Sequence, residues 1–418
     1  MTTPTPIPAP IRAHAAPGIN ELARRCVGCG FCLSACPTYD LLRDERDSPR
    51  GRIRLMTDMM NNAHVSARTV THLDRCLGCL ACAAACPSGV DYPNLINQAR
   101  AHIHTHHRRP LIQRAWRFLL TWVLTRPSLA RPLLLFGTPL RTLHRLKALP
   151  AGLRAAIQSL PTHVPPPSPI DGGHTFHVKQ PRGHVALLSG CIQQVLAPQI
   201  NAATLRLLHR RGFTVTTVKG CCGALPHHLG MKNAATGHMS KLLKSLREQK
   251  FDAVIYTASG CGGTLADAPH LVPSSRADWL AHNVHHITPF LAAHPLEPDA
   301  PKPAAPRIPP ITYHCPCSMR NTLKQEETAP HLLRQAGIIT QTPKKAPACC
   351  GSAGIYHILQ PEIAHALREQ TRAAIDQTSG KIIVSDNIGC LSFLAEENAK
   401  TLHTAQLLDW AESGTKPT

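Results

Sequence analysis

Eight cysteines in two near-identical runs constrain this chain more than any other feature. CVGCGFCLSACP supplies Cys26, Cys29, Cys32, Cys36 and Pro37, and CLGCLACAAACP supplies Cys76, Cys79, Cys82, Cys86 and Pro87. Both read C-x2-C-x2-C-x3-C-P, a spacing of thiolates that ligates [4Fe-4S] clusters. Two-residue gaps let three thiolates curl round one face of a cubane, with Gly28 and Gly78 allowing the tight turn. The three-residue gap carries the fourth cysteine out of reach. Zinc usually takes four ligands as two separated pairs, and a run of three with a distant fourth before proline fits it poorly. Two cubanes side by side make a wire for single electrons. The motifs contain no catalytic acid, base or nucleophile, and no catalytic residue is expected in this chain.

The pattern resembles that of two-cluster bacterial ferredoxins, where the fourth cysteine of each motif ligates the other cluster. The resemblance implies Cys26, Cys29, Cys32 and Cys86 for one cluster, and Cys76, Cys79, Cys82 and Cys36 for the second. Arg24, Arg25 and Arg75 precede the motifs and, if close, would ease reduction by offsetting cluster charge; the alternative is that water solvates them.

The 418 residues suffice for two or three domains that bury cores without disulfide staples. Residues 1–19 lack a basic segment followed by an apolar run, so they read as a disordered leader rather than a signal peptide. The chain is therefore expected in the cytoplasm, where clustered cysteines favour metal ligation or redox chemistry over disulfides. Lys plus Arg exceeds Asp plus Glu by 45 − 25 = 20. That excess suits an anionic membrane surface or an acidic partner. Nucleic acid is not expected, because aromatics are 4% and no basic block is interleaved with them.

Composition divides the rest. A two-cluster domain over 20–100 is followed by a helical, Leu- and Arg-rich segment over 101–160, and a Pro-rich linker over 161–180. Two similar halves, 181–294 and 311–412, flank a second Pro-rich linker over 295–310. In the first half, GHVALLSG leads to Cys191, a helix, a strand over 213–218 and Cys221-Cys222-Gly223, and a strand over 253–256 leads to Cys261. In the second, Ile311 to His314 leads to Cys315 and Cys317, a helix and Cys349-Cys350-Gly351, and a strand over 381–384 leads to Cys390. Alternating strands and helices predict two duplicated α/β domains with largely parallel sheets, cysteines at the strand ends. These nine cysteines are candidate ligands of a further iron–sulfur cluster, with His227, His228 and His314 near enough in sequence to contribute. Buried or redox-active thiols without metal are the alternative.

The spacing C-x29-CCG-x37-C in the first half and C-x33-CCG-x38-C in the second, counted from Cys315, resembles the cysteine-rich CCG domain. That domain occurs twice in heterodisulfide reductase subunits, and also in lactate-utilisation proteins and in anaerobic glycerol-3-phosphate dehydrogenase subunits. SGCIQQVLAPQINAATLRLLHRRG, GCCGALPHHLG, CCGSAGIYHILQPE and NIGCLSFLA, with DSPRGRIRLM between the first motifs, are most similar to the iron–sulfur subunits of glycolate dehydrogenase, also called glycolate oxidase. The resemblance implies a multidomain fold, an α-helical ferredoxin-like two-cluster module followed by two CCG domains. It also implies a complex with FAD-bearing flavoprotein subunits that oxidise glycolate to glyoxylate, this chain carrying the electrons towards a quinone without holding the substrate site. Lactate or glycerol-3-phosphate oxidation, or a catalytic disulfide reductase, is the alternative. The CCG pattern ends in C-x2-C, but Cys261 is followed by Gly-Gly-Thr and Cys390 by Leu-Ser-Phe. That absence argues against the unusual cluster of the reductases, and against disulfide reduction with it.

Over 111–126, Arg114, Arg117, Thr121 and Thr125 line a narrow stripe of a predicted helix and leave a broad apolar face with Trp116, Phe118 and Trp122. It is too short of uncharged residues to span a bilayer. It suits peripheral contact with the cytoplasmic face of a membrane, or packing on another domain or partner.

Overall fold

The computed structural model describes residues 17–417 except 63, 146–149, 248, 298–305 and 396–399. The expected leader up to residue 16 and most of the second linker lie outside the described residues.

The two-cluster domain is helical. Ser48 caps the helix Pro49–Asn61, Ser66 caps Ala67–Asp74 and Asp91 caps Tyr92–His106, each side chain accepting an amide hydrogen bond in the first turn. Their apolar faces close over Met56, Leu73, Leu95, Ile96 and Ile103, all at most 2% exposed. The last of these helices runs past residue 100, so the domain takes in the start of the segment expected to be separate.

In the first duplicated half, β1 (Thr175–Phe176), β2 (Gly183–Leu188), β3 (Phe213–Val218), β4 (Ala253–Tyr256) and β5 (Val284–His286) form a sheet in the order β1-β3-β2-β4-β5. In the second, β6 (Ile311–Tyr313), β7 (Thr340–Gln341), β8 (Ile382–Val384) and β9 (Lys400–Leu402) run β7-β6-β8-β9. The order β3-β2-β4-β5 is thus repeated, every pair parallel. The antiparallel β1 is an addition to the first half. It lies inside the stretch expected to be linker, because Thr175 and Phe176 find an open edge at β3.

The halves share one core. Leu205, Leu208 and Phe290 of the first pack in one cluster with Leu333, Leu408 and Trp410 of the second. Above it, Arg206 and Arg210 pair with Asp409, and Arg210 and Arg211 pair with Glu412, at 2.6–3.0 Å. At the junction the Thr257 carbonyl accepts from the Nε2 of both His286 (3.0 Å) and His403 (2.9 Å). Their Nδ1 atoms accept from the amides of Thr288 and Ala405 at the starts of two helices. Both rings are therefore neutral, and neither keeps a lone pair for a metal, although Asp386 lies beside them.

Burial pushes the His403 imidazole down to about 4 and lowers that of His286. A folded-state value below the ordinary 6.5 means that the unfolded chain takes up protons first. Stability is then full above pH 6.5 and falls towards pH 4, by about 3 kcal/mol for His403. Denaturant unfolding of the wild type and His403→Gln across that window is expected to show a less stable variant with a flatter pH profile.

Candidate iron–sulfur sites

The first motif folds as a loop before the helix Pro37–Leu42. Gly28 and Gly30 both take left-handed backbone, at φ 73° and 86°. The second motif takes the same path with Gly78 and Leu80, at 68° and 59°. Cys26, Cys29, Cys32, Cys82 and Cys86 line one hollow. Cys36 is turned the other way. Its Sγ lies 3.8 Å from the Arg52 guanidinium, which also faces Cys76. Cys86 thus shares a hollow with the first run, and Cys36 lies beside the guanidinium that also faces Cys76 of the second.

A buried ion network supports the second group. Asp47 and Arg52 are at most 1% exposed and pair at 3.2 Å. Arg52 also donates to the His72 carbonyl and the Thr38 hydroxyl, while Asp47 takes Arg75 at 3.0 Å. This is the structural content of DSPRGRIRLM. Ser48 caps the helix and Pro49 opens it, and any side chain at Gly51 would strike the Glu45 carbonyl. Arg50 reaches the Gly28 carbonyl (3.0 Å) and Arg100 the Cys76 carbonyl (2.5 Å). Of the three arginines expected near the clusters, Arg75 is committed to Asp47. The guanidinia that reach the cysteine loops are instead Arg50, Arg52 and Arg100, whose positions in the sequence carry no signal of it.

These charges separate neighbouring thiols. Burial alone would push Cys76 up, but Arg52 and Arg100 outweigh it and leave the thiol below its ordinary value. Cys79, further from them, is pushed well up by burial and by Cys317.

In each α/β half the cysteines gather at the carboxyl ends of the strands. Cys191, Cys221, Cys222 and Cys261 form a continuous row in which each thiol touches the next. Cys317, Cys349, Cys350 and Cys390 do the same, with Cys317 and Cys349 sulfurs 4.0 Å apart and Cys350 and Cys390 3.5 Å apart. Two thiolates on one tetrahedral metal at about 2.3 Å would lie about 3.8 Å apart, so each of these two pairs is close enough to share an ion. Burial and neighbouring thiols push Cys191, Cys222, Cys349 and Cys350 well up. A cation would let such a row ionise.

Strand register corrects the spacing count. Leu187 pairs with Ile255, and Tyr313 with Val384. Four residues beyond Leu187 lies Cys191, and four beyond Tyr313 lies Cys317; six beyond Ile255 and Val384 lie Cys261 and Cys390. The counterpart of Cys191 is therefore Cys317, not Cys315. Cys315 sits apart from the row, its Sγ 3.6 Å from the Pro316 carbonyl and its side chain against the apolar core.

The modules meet at these sites. Leu77 and Cys79 pack in one apolar cluster with Cys317, Cys349 and Tyr356. Asn321 donates to the Cys79 carbonyl (2.8 Å), and the Tyr356 hydroxyl to the Arg75 carbonyl (2.8 Å). Both cysteine rows open on a cavity of about 1740 Å³, roofed by Trp116, Leu120, Val123 and Leu160. His227 and His228 line it, held neutral by burial at about 4 and about 3. A ring nitrogen of His314, the third histidine expected to contribute, and the sulfurs of Cys350 and Cys390 lie within 4.8 Å of one another.

The helix Leu111–Leu124 turns Arg117, Thr121 and Thr125 of its polar stripe inward and leaves Arg114 exposed. Arg117 and Arg109 grip Asp74 at 2.8 and 2.6 Å, and Thr121 and Thr125 are buried. Leu111, Ile112 and Phe118 are 61–80% exposed, and so is Phe136 on the next helix, Pro127–Gly137. Among the described residues no helix is long and apolar enough to cross a membrane.

Comparison with known proteins agrees with this division. The model of a 4Fe-4S dicluster domain matches residues 25–90, and that of a cysteine-rich domain matches 185–266 and again 311–395. The chain is 33% identical to the glycolate oxidase iron-sulfur subunit of Escherichia coli (strain K12), over 94% of this chain and 95% of that one. It is 31% identical to a probable glycolate oxidase iron-sulfur subunit of Bacillus subtilis (strain 168), over 88% and 87%. Lactate utilization protein A of Oceanobacillus iheyensis is 24% identical over 55% of this chain and 98% of its own length.

Proposed function

The chain belongs to the family of glycolate oxidase iron–sulfur subunits, and from that premise we propose that it relays electrons from flavoprotein partners that oxidise glycolate to glyoxylate. One observation carries this reading: sulfur donors follow one another from the Cys26 hollow, through Cys36 and Cys76, to Cys79 against Cys317 and Cys349. Bound [4Fe-4S] clusters would supply one-electron carriers along that row. Cys26, Cys29, Cys32 and Cys86 would hold one, and Cys76, Cys79, Cys82 and Cys36 the other. The rows Cys191, Cys221, Cys222, Cys261 and Cys317, Cys349, Cys350, Cys390 are each suited to hold a further centre. Arg52 and Arg100 keep positive charge beside Cys76, where an added electron is stabilised. The FAD and the hydroxyacid belong to the partners.

The electrons would leave to a quinone at the cytoplasmic face of a membrane. The outward apolar face of Leu111, Ile112, Phe118 and Phe136, on a chain with a net charge of +20, supports peripheral docking on an anionic bilayer.

Anaerobic mixing tests the assignment. Glycolate is expected to bleach the cluster absorbance only when the flavoprotein partners are present, and quinone-loaded anionic vesicles to restore it. Bleaching of this chain by glycolate without partners would refute the relay.

A further inference from the structure

The two cysteine rows are related by the internal repeat, yet one neighbour differs. The register that matches Leu187 with Tyr313 matches Leu188 with His314. Leu188 packs in an apolar cluster with Cys222 and Tyr256. His314 is 4% exposed, and a ring nitrogen and the sulfurs of Cys350 and Cys390 all lie within 4.8 Å of one another. Its amide donates to the Val384 carbonyl at 2.8 Å, so the ring is carried by backbone locked into the sheet. Cys349 and Cys317 continue the row towards Cys79.

We propose that the two sites differ in kind: the second holds an iron–sulfur centre ligated by the His314 imidazole together with the thiolates of its row, and the first an all-thiolate centre. The proposal rests on the reading that the rows bind clusters. A neutral nitrogen donor adds no negative charge where a thiolate would, and imidazole ligation raises the potential of an iron–sulfur centre. The second site then draws electrons from the neighbouring Cys79 cluster. One electron leaves that reduced cluster and enters the oxidised centre, with no bond made or broken and no proton required.

The full chain, purified anaerobically with its clusters, carries the test. After labelling with ¹⁵N-histidine, pulsed paramagnetic resonance is expected to show coupling of one centre to an imidazole nitrogen. His314→Leu, which installs the residue of the first half, is expected to lose that coupling together with the iron of the second site. His314→Cys is expected to keep the iron, lose the coupling and shift that centre to more negative potential, which a merely structural ring would not do. Coupling, iron and potential all unchanged in His314→Leu would overturn the proposal, as would zinc instead of iron in the second row. Wild-type protein without metal beyond the two ferredoxin-type clusters would overturn the underlying reading as well, an outcome told apart by metal analysis before any variant is made.

Discussion

Replacing Cys86 by serine is expected to abolish the cluster whose other ligands lie about sixty residues upstream, at Cys26, Cys29 and Cys32, and to spare the one held by the cysteines nearest to Cys86 in sequence. The hollow that Cys86 enters is lined by Cys26, Cys29 and Cys32 together with Cys82, and the Arg52 guanidinium beside Cys36 also faces Cys76. Cys36→Ser is expected to damage the other cluster. In the wild type, reduced protein should give the resonance of two interacting centres; each variant should leave the simple signal of one. Iron analysis should show the loss of one cubane. A Cys86→Ser protein that lost only the cluster of Cys76, Cys79 and Cys82 would refute crossed ligation.

The second large effect concerns Asp47. It is wholly buried, and its carboxylate is the counter-charge for Arg52, itself 1% exposed. Removing one partner of such a pair leaves a bare charge in the interior, which costs roughly 3–5 kcal/mol. Asp47→Ala is expected to be destabilised by that amount and to lose the cluster at Cys36 first, since the Asp47 carboxylate holds the Arg52 guanidinium that reaches the Cys36 sulfur and the Thr38 hydroxyl. The double variant Asp47→Asn, Arg52→Met should be less unstable than the sum of its two single changes, because it leaves neither charge alone. It should also shift the cluster beside Cys76 to more negative potential, a guanidinium having been taken away. Strict additivity, with no shift in potential, would show that the pair is incidental to the cluster.

Much of this architecture was legible because it is written in spacing. The cysteine runs announce their clusters with three fixed intervals each, and the duplication repeats strand, cysteine pair and strand closely enough to be counted. Spacing fails where three-dimensional register decides. Cys315 and Cys317 stand two apart before the same CCG, and pairing of β6 with β8 is needed to show which one faces the site. Composition fails for Arg52, which lies in the run PRGRIR beside arginines of quite different exposure. Leu80 fails for another reason. Its left-handed backbone is imposed by the path round the second motif, where the first motif uses Gly30. The helix Leu111–Leu124 shows the limit of amphipathic reasoning: its two faces could be read from periodicity, but not that Asp74 would draw Arg117 inward.

The junction at Thr257 bears on ancestry. Two sheets of the same order, a common core and a carbonyl gripped by one histidine from each half have the geometry of a symmetric dimer fused into a single polypeptide. In a true dimer every substitution strikes both copies at once. A single chain is free of that constraint: position 188 is leucine while its twin at 314 is histidine. Two stations built on one fold but with unequal ligands set up a gradient, and with it a direction.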